Sequence, residues 1–287
     1  MAPRLTHPQR DWTLVAASAC RGGWEGRAPL HPPVAALDRL SLAARHYPQA
    51  SMSAPRLRRV GHKGADLISP GNTPASFDAA LAVGVDMIEF DVLPEPGTER
   101  LLLAHDFEDA RQRRPLTLEQ GLAHLASDAF AGIELDVDLK LPGYEERVVR
   151  ALQDAGMVDR ALISTQFRES LVRVRELEPR LRLGWTLPKL HRDPFQSWYL
   201  IPPAIVALGY ARVVLPGRAA AAIRTRFCDA MMVHWRLITP RLARAVAAAG
   251  GELYVWTVDE LPRIRALERL GVTGVITNDP RLFAALA

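Results

Sequence analysis

RRVGHKGADLISPGNTPASFDAALAVGVDMIEFDVL, residues 58–93, contains two short apolar runs separated by a polar loop and a helical pattern. The first run ends at His62, and the loop ends at Asn72 and Thr73, residue types that commonly start a helix. Gly84 follows the last apolar residue of the helical pattern, as a left-handed helix cap does. Strand, helix and strand in this order predict two parallel strands joined by a crossover.

The same alternation continues along the rest of the chain. Strands are predicted at 58–62, 86–93, 101–106, 132–140, 161–165, 181–187, 229–235, 252–259 and 274–277. Helices are predicted at 73–84, 117–126, 144–156, 168–177, 240–250 and 260–271. This order over about 230 residues predicts a closed (β/α)8 barrel, the TIM-barrel fold of the α/β class. An open doubly wound sheet is the alternative, and the lack of a glycine-rich dinucleotide fingerprint after the first strand disfavours it.

Composition narrows the class of protein. The chain has 287 residues, of which 48% are apolar, enough to bury a full core. Its net charge of +4 comes mainly from residues 1–51, which hold six Arg against three acids, so the remainder is nearly neutral and nucleic-acid binding is not expected. The two cysteines, Cys20 and Cys228, fit a reducing compartment, and a cytoplasmic location is expected.

Residues 1–55 show no sustained period and predict an irregular leader before a barrel domain at 56–287. This leader would be disordered, or not translated if synthesis starts at Met52. The motif WTLVAASAC, which ends at Cys20, resembles a lipoprotein-type signal. Its apolar part is short and borders Asp11, which favours the irregular leader.

The stretch from Asp193 to Phe227 is apolar, aromatic and basic, and is longer than a barrel connection requires. Two helices covering the side of the barrel are the first interpretation, and peripheral membrane contact through 194–227 is the second. No run of about 18 uncharged, strongly apolar residues is evident, so a membrane-spanning helix is not expected.

Acidic residues alternate with aliphatic ones in two predicted strands. Glu89 and Asp91 share one face of the strand at 86–93, where their mutual repulsion favours a bound cation. In GIELDVDLK, residues 132–140, the alternation places Glu134, Asp136, Asp138 and Lys140 on one face. Such charges are costly inside a barrel without partners, and a metal plus a lysine would relieve that cost. Asp138 is the predicted ligand and Asp136 a supporting group, while Glu134, about 13 Å lower, is expected in an ion pair.

Two histidines end apolar runs, His62 after 58–61 and His105 in LLLAHD. A single histidine at a strand end is commonly a structural hydrogen-bonding group. Two of them at strand ends that also carry carboxylates and lysines suit acid–base chemistry beside a hard cation, most simply on a phosphodiester.

Six short motifs occur in one order: His-x-Gly, Asn-Thr, Glu-x-Asp, His-Asp, acid-x-Lys, and VWTVD followed by GVITNDP. This order resembles the glycerophosphodiester phosphodiesterases, metal-dependent (β/α)8 barrels, over roughly residues 58–283. The resemblance implies hydrolysis of a glycerophosphodiester to an alcohol and glycerol 3-phosphate, with Mg²⁺ or Ca²⁺ as cofactor. It implies acid–base roles for His62 and His105, metal ligation by Glu89, Asp91 and Asp138, and substrate or phosphate binding by Lys63, Lys140, Asn72 and Trp256.

Several alternatives stay open at this level. Trp256 could be a core residue, and Asn72 could simply start the helix. Lys63 stands where the family usually has Arg, and Asp138 where it usually has Glu, which shortens the ligand by one methylene. A related phospholipase acting on phospholipid or lysophospholipid is one functional alternative, and a non-catalytic barrel that binds phosphate esters or a protein is another. The oligomeric state is left open.

Overall fold

The computed structural model describes residues 56–188 and 201–286, and for 201–203 only the backbone. The leader, the signal-like motif at Cys20, Met52 and the first part of the apolar 194–227 segment lie outside these residues. The expectations for them, and for the domain boundary at residue 55, therefore stay predictions.

The elements of the described residues follow each other in the expected alternation. The strands are β1 Arg58–Gly61, β2 Met87–Pro94, β3 Leu101–Leu102, β4 Glu134–Leu139, β5 Ala161–Thr165, β6 Arg182–Leu187, β7 Ala230–His234, β8 Glu252–Trp256 and β9 Gly274–Thr277. The α-helices are α1 Pro74–Val83, α2 Phe107–Gln112, α3 Leu118–Leu125, α4 Glu145–Asp154, α5 Arg168–Leu177, α6 Ile201–Arg224, α7 Pro240–Ala248 and α8 Leu261–Arg269. Short 3-10 helices lie at Asp128–Phe130, Val158–Arg160, Trp235–Leu237 and Pro280–Leu286.

Eight of the nine strands close into a parallel barrel. Strand β1 pairs in parallel with β9 on one side and with β2 on the other, which joins the two ends of the sheet. The predicted TIM barrel is confirmed, and the open sheet is excluded. The predicted strand at 101–106 is wrong as a barrel strand, because only Leu101–Leu102 is extended and it pairs antiparallel with the end of β2.

All six predicted helices are present, and four of them end at a glycine. Gly84, Gly156, Gly250 and Gly271 all have positive φ, the backbone region that glycine adopts without steric cost. The helix α2 was not predicted. Its N-cap is Asp106, whose carboxylate accepts hydrogen bonds from the backbone N–H groups of Glu108 and Asp109.

Of the two helices expected in 193–227, the described residues contain one, α6, and the second stays a prediction because the first part of the segment lies outside the described residues. The second half of α6 buries Leu215, Ala219 and Ile223 in the main hydrophobic core, so this half covers the barrel as expected. The first half exposes four large apolar side chains, Ile205, Val206, Tyr210 and Val213. By length and composition, Ala204–Arg224 is apolar enough to cross a membrane, although it includes charged residues such as Arg212 and Arg218, and the expectation that it does not span one stays a prediction.

A hydrophobic cluster of inward-facing side chains fills the inside of the barrel. It consists of Val60, Met87, Leu162, Ala230, Met232, Tyr254 and Ile276. The outward faces of the same strands, including Ile88, Phe90 and Val92 of β2, belong to the larger core beneath the helices. This apolar cluster therefore separates the charged side chains at the amino ends of the strands from those at the carboxyl ends.

At the amino ends of the strands, acidic and arginine side chains form a network of ion pairs. The Glu134 carboxylate lies 2.9 Å from Arg58 and 2.7 Å from Arg182, and both arginines also face Glu252. The prediction that Glu134 forms an ion pair away from the metal-ligand candidates is confirmed.

Replacing Glu134 by Gln is expected to lower the free energy of unfolding by about 1–3 kcal/mol, because two partly buried guanidinium groups then share one remaining carboxylate. Urea denaturation of the full chain measures this difference. The matched control is Glu146→Gln, which removes an exposed helical ion pair with Arg150 and should cost less than about 0.5 kcal/mol. Equal effects of the two substitutions would contradict the structural role given to the network.

Candidate active site

A cavity of about 550 Å³ opens at the carboxyl ends of the barrel strands. Seven of the predicted site residues line it: His62, Glu89, His105, Asp136, Asp138, Lys140 and Trp256. Asp91 and Asn72 are buried, with 0% and 1% of their surfaces exposed, and lie against this set. In TIM barrels this end of the strands carries the site that does chemistry.

Three carboxylates converge at the cavity. Strands β2 and β4 are in register, so that Glu89 is opposite Asp136 and Asp91 is opposite Asp138. One oxygen from each of Glu89, Asp91 and Asp138 lies within 4.8 Å of the others. The shorter side chain of Asp138 therefore still reaches the cluster. Three carboxylate oxygens at this spacing fit a hard divalent cation such as Mg²⁺ or Ca²⁺.

Lys140 lies directly against two of these carboxylates. Its ammonium is 2.5 Å from Asp91 Oδ1 and 2.5 Å from Asp138 Oδ2. Burial raises the pKa of Asp91, but the charge of Lys140, together with those of His105, Lys63 and His62, outweighs it and holds that pKa well below its usual range. Burial lowers the pKa of Lys140, and its carboxylate neighbours more than reverse this, so the ammonium stays charged. The site thus stabilises positive charge at these oxygens.

Glu89 is in a different electrostatic position. Burial, and then the negative charge of Asp91, raise the pKa of Glu89 well above its usual value. Its Oε2 accepts a hydrogen bond of 2.8 Å from the backbone N–H of Lys63. A carboxylate with a raised pKa in the absence of metal releases a proton when a cation binds, so this site should bind metal more tightly as pH rises.

Asn72 orients a predicted metal ligand. Its Nδ2 donates to Asp91 Oδ2 at 2.9 Å, and its Oδ1 accepts from the backbone N–H of Asp91 at 3.1 Å. The start of α1 is instead capped by Thr73, which exchanges hydrogen bonds with Ser76. Asn72 therefore does more than start the helix, and its predicted contact with phosphate stays a prediction.

Lys63 lies beside an acidic residue outside the carboxylate cluster, and its charge also helps to lower the pKa of Asp91. Its Nζ lies 3.8 Å from Asp66 Oδ2, and its backbone has a φ of 49°. Gly64 follows with a φ of 87°, and a Cβ there would lie 2.7 Å from the backbone of Ser76. The glycine lets the loop pass close to α1. A phosphate contact for Lys63 stays a prediction.

His62 continues β1 into the cavity. Its Nδ1 lies 2.5 Å from Asn278 Oδ1, and its Nε2 is 3.8 Å from Glu89 Oε2. Burial lowers the pKa of His62 more than the charge of Asp91 raises it. A neutral imidazole with one nitrogen facing the carboxylate cluster can accept a proton there.

His105 lies in the loop after β3, across the same cavity. Its side chain is about half exposed, and its Nδ1 is 3.0 Å from Asp106 Oδ2. The backbone N–H of His105 donates to Asp109, which fixes the loop that presents the ring. The two predicted acid–base residues thus line one cavity, although only His62 follows a barrel strand.

Asp136 is buried on β4, and neither carboxylate oxygen has a hydrogen-bond partner among the described residues. Burial raises the pKa of Asp136 to about 7, despite the neighbouring Ser164 hydroxyl. Because the folded state then binds more protons than the unfolded state, this carboxyl destabilises the fold increasingly as pH rises from about 4 to about 7.

In metal-free protein, Asp136→Asn is expected to raise the free energy of unfolding at pH 8, by up to about 4 kcal/mol, with a gain that shrinks as pH falls toward 5. Urea denaturation in chelator at several pH values measures it. Asp86→Asn is the control with the opposite sign: burial would raise the pKa of Asp86, but Arg59 lowers it overall. A pH-independent effect of Asp136→Asn would contradict the stated cause.

Trp256 ends β8 at the edge of the cavity. Its ring packs edge-on against His234 with centroids 5.0 Å apart, and its buried Nε1 finds no hydrogen-bond partner among the described residues. The half-buried position agrees with a wall of the cavity more than with the closed core, and its contact with substrate stays a prediction.

Asn278 and Asp259 were not predicted as site residues, although both lie in the quoted motifs. Asn278 comes two positions after Ile276, an inward apolar residue of β9. His62 and Trp256 stand in the same relation to Val60 of β1 and Tyr254 of β8. Counting two residues beyond each inward apolar side chain would have found Asn278 from the sequence.

Comparison with known proteins decides the family. A sequence model of the glycerophosphoryl diester phosphodiesterase family matches residues 117–282, more than half of the chain. The chain belongs to this family. The matched range begins after His62, Glu89, Asp91 and His105, and the structure brings these four together with Asp138 from inside the range. The predicted membership among the phosphoric diester hydrolases is confirmed.

Sequence relatives of this glycerophosphoryl diester phosphodiesterase family protein carry the name of the same family. A glycerophosphodiester phosphodiesterase of Caldanaerobacter subterraneus is 25% identical, covering 77% of this chain and 93% of its own. One of Bacillus subtilis is 23% identical, covering 81% and 87%. Among solved structures, an Oleispira antarctica phosphodiesterase in complex with the product sn-glycerol-3-phosphate has a TM-score of 0.58 at 18% identity, covering 80% and 97%. This structural likeness supports the fold.

Proposed function

We propose that this protein is a metal-dependent phosphodiesterase that hydrolyses glycerophosphodiesters to an alcohol and glycerol 3-phosphate. One observation carries the proposal: two histidines, three clustered carboxylates and a lysine line or adjoin one cavity of a family member. The product named for the Oleispira antarctica phosphodiesterase supports this choice of substrate.

His62 is the better candidate for the general base, because it is neutral and directs Nε2 toward the carboxylate cluster. His105, more exposed and beside Asp106, is the better candidate for the acid that protonates the leaving alkoxide. The nucleophile is water or the glycerol hydroxyl of the substrate. If water attacks, its oxygen bonds to phosphorus as the bond to the leaving alkoxide breaks, which gives glycerol 3-phosphate directly. If the glycerol hydroxyl attacks, the same displacement gives a cyclic phosphate, and water then opens the ring to glycerol 3-phosphate. In each displacement one histidine takes the proton of the nucleophile and the other protonates the leaving oxygen.

Glu89, Asp91 and Asp138 would hold the divalent cation, with Asn72 keeping Asp91 in position. A bound Mg²⁺ or Ca²⁺ supplies neutralisation of phosphoryl charge and a lower pKa for the nucleophile. Lys140 adds positive charge at the same point and can contact a phosphate oxygen.

The test is an assay of the purified full chain on glycerophosphodiesters with different head groups, after chelation and readdition of Mg²⁺ or Ca²⁺. Glycerol 3-phosphate should appear only with metal. Release of no glycerol 3-phosphate under any metal would refute the proposal and favour a barrel that only binds phosphate esters or a protein.

The exposed half of α6 favours a second candidate, hydrolysis of a lipid-like diester such as a lysophospholipid. Ile205, Val206, Tyr210 and Val213 are each more than half exposed, on a helix that also carries Arg212. Its Nε donates to the carbonyl oxygen of Arg236, which follows β7 at the cavity end of the barrel. Apolar side chains with arginine at this level suit contact with an anionic membrane surface.

Flotation with anionic vesicles tests this contact. The full chain should float with the vesicles, and a variant with Val206 and Tyr210 changed to Ser should stay at the bottom. Turnover of micellar lysophospholipid should fall in that variant, while turnover of soluble glycerophosphocholine should not. Equal flotation of the two proteins would contradict membrane contact through α6.

A further inference from the structure

His62 is held by a chain of hydrogen bonds that leads away from the carboxylate cluster. Its Nδ1 meets Asn278 Oδ1 at 2.5 Å. On the far side of the amide, Asn278 Nδ2 donates to Asp259 Oδ2 at 2.7 Å. The chain therefore joins the loop after β8 and the loop after β9 to the residue that follows β1.

Asp259 determines which way the Asn278 amide faces. An ionised carboxylate only accepts hydrogen bonds, so the NH₂ group of Asn278 must face Asp259 and the carbonyl oxygen must face His62. Asp259 is itself fixed, since its Oδ1 accepts from the backbone N–H of Asn278 at 2.8 Å and from Thr277 Oγ1 at 2.9 Å. The amide cannot turn over without placing two acceptors against each other.

The orientation of the amide in turn decides the tautomer of His62. A carbonyl oxygen at 2.5 Å requires a proton on Nδ1, so a neutral His62 has its lone pair on Nε2. This is the nitrogen that faces Glu89 in the cavity. Only this tautomer can accept a proton from a nucleophile at the carboxylate cluster.

We propose that Asn278 and Asp259 are a positioning pair that keeps His62 in its Nδ1-protonated tautomer, with Nε2 free to act as the base. The catalytic consequence rests on the proposed function, whereas the tautomer itself does not. The pair works through hydrogen-bond direction, so exchanging the carboxylate and the amide between the two positions preserves it.

Three variants of the full chain test the pair. In Asp259→Asn, the new NH₂ group faces the NH₂ group of Asn278. The Asn278 amide then turns over, so that its NH₂ group faces His62. A donor at that position requires a lone pair on Nδ1, and the ring proton of His62 moves to Nε2. The expected result is a fall in kcat of about 10²–10⁴-fold with KM changed by less than about threefold. In the exchange variant Asp259→Asn/Asn278→Asp, the NH₂ of residue 259 donates to the new carboxylate, and kcat should recover to within about tenfold of the original. Asp279→Asn, which only loses contacts with Arg281, is the matched control and should keep kcat.

Ring ¹⁵N chemical shifts report the tautomer directly, with the His62 signals assigned by their loss in His62→Gln. The unchanged protein should show an Nδ1–H imidazole at pH 8, Asp259→Asn an Nε2–H imidazole, and the exchange variant Nδ1–H again. An Nε2–H tautomer in the unchanged protein overturns the proposal, and this measurement needs no variant at position 259 to fold. An exchange variant that melts normally but recovers neither tautomer nor kcat overturns it as well. Absence of diester hydrolysis in the unchanged protein would instead refute the proposed function and leave the tautomer result standing.

Discussion

His62→Ala and His105→Ala should each lower kcat on a glycerophosphodiester by about 10²–10⁴-fold while leaving KM almost unchanged. Each substitution removes one proton-transfer group from the cavity and leaves the carboxylates and lysine in place. The double variant should lose little more than the slower single one, because the two histidines serve one reaction and their effects are not additive. Steady-state kinetics with saturating metal measures all three proteins.

His124→Ala is the matched control for both histidine variants. His124 lies on α3, away from the cavity, and its Nε2 is 2.8 Å from Asp78 Oδ1. The control should keep full activity. If His62→Ala and His105→Ala each retained full metal-dependent activity, the acid–base assignment would be wrong even though the family and the fold would stand.

The fold was predictable because each barrel strand carries its own local signal. In strands such as β2 and β4, apolar side chains alternate with carboxylates, and four of the intervening helices end at glycines with positive φ. The error in strand assignment occurred where the local sequence pattern of a segment disagrees with the way that segment pairs in the sheet. LLL at 101–103 reads as a buried strand, yet Leu101–Leu102 finds only an antiparallel edge on β2, because the barrel is already closed by β1 and β4.

The site was predictable only where its residues lie on or directly after strands, because there the alternation of inward and outward side chains fixes their direction. Strand alternation alone places Glu89 and Asp91 on one face of β2 and Asp138 on the charged face of β4. The direct pairing of β2 with β4 was not predicted, because a barrel strand was expected between them. What strand phase cannot give is the direction of a side chain after its strand has ended. Lys63, one residue past His62, turns toward Asp66 in a left-handed backbone conformation, and Asn278 joins His62 through a contact between residues 216 positions apart.

Asp91→Asn should weaken the binding of Mg²⁺ or Ca²⁺ by at least about tenfold and lower kcat by about 10³-fold or more. Asp91 is fully buried, is held at both ends of its carboxylate by Asn72 and Lys140, and contributes an oxygen to the three-carboxylate cluster. The amide is nearly the same size but carries no charge, so packing is kept while the attraction for a cation is lost. Calorimetric titration of chelator-treated protein with each metal measures the affinity, and the diester assay measures kcat.

Asp86→Asn separates this effect from a general loss of stability. Asp86 precedes β2 at its opposite end, where it pairs with Arg59 at 2.9 Å, so the same change of residue type occurs beside the same strand but far from the cluster. We expect this variant to melt at a lower temperature and yet to bind metal with unchanged affinity. Asp91→Asn should lose metal affinity as well as stability, because its carboxylate is a candidate metal ligand and also a partner of the buried Lys140 ammonium. Unaltered metal affinity in Asp91→Asn would show that the cation, if one is used, is bound elsewhere than between Glu89, Asp91 and Asp138.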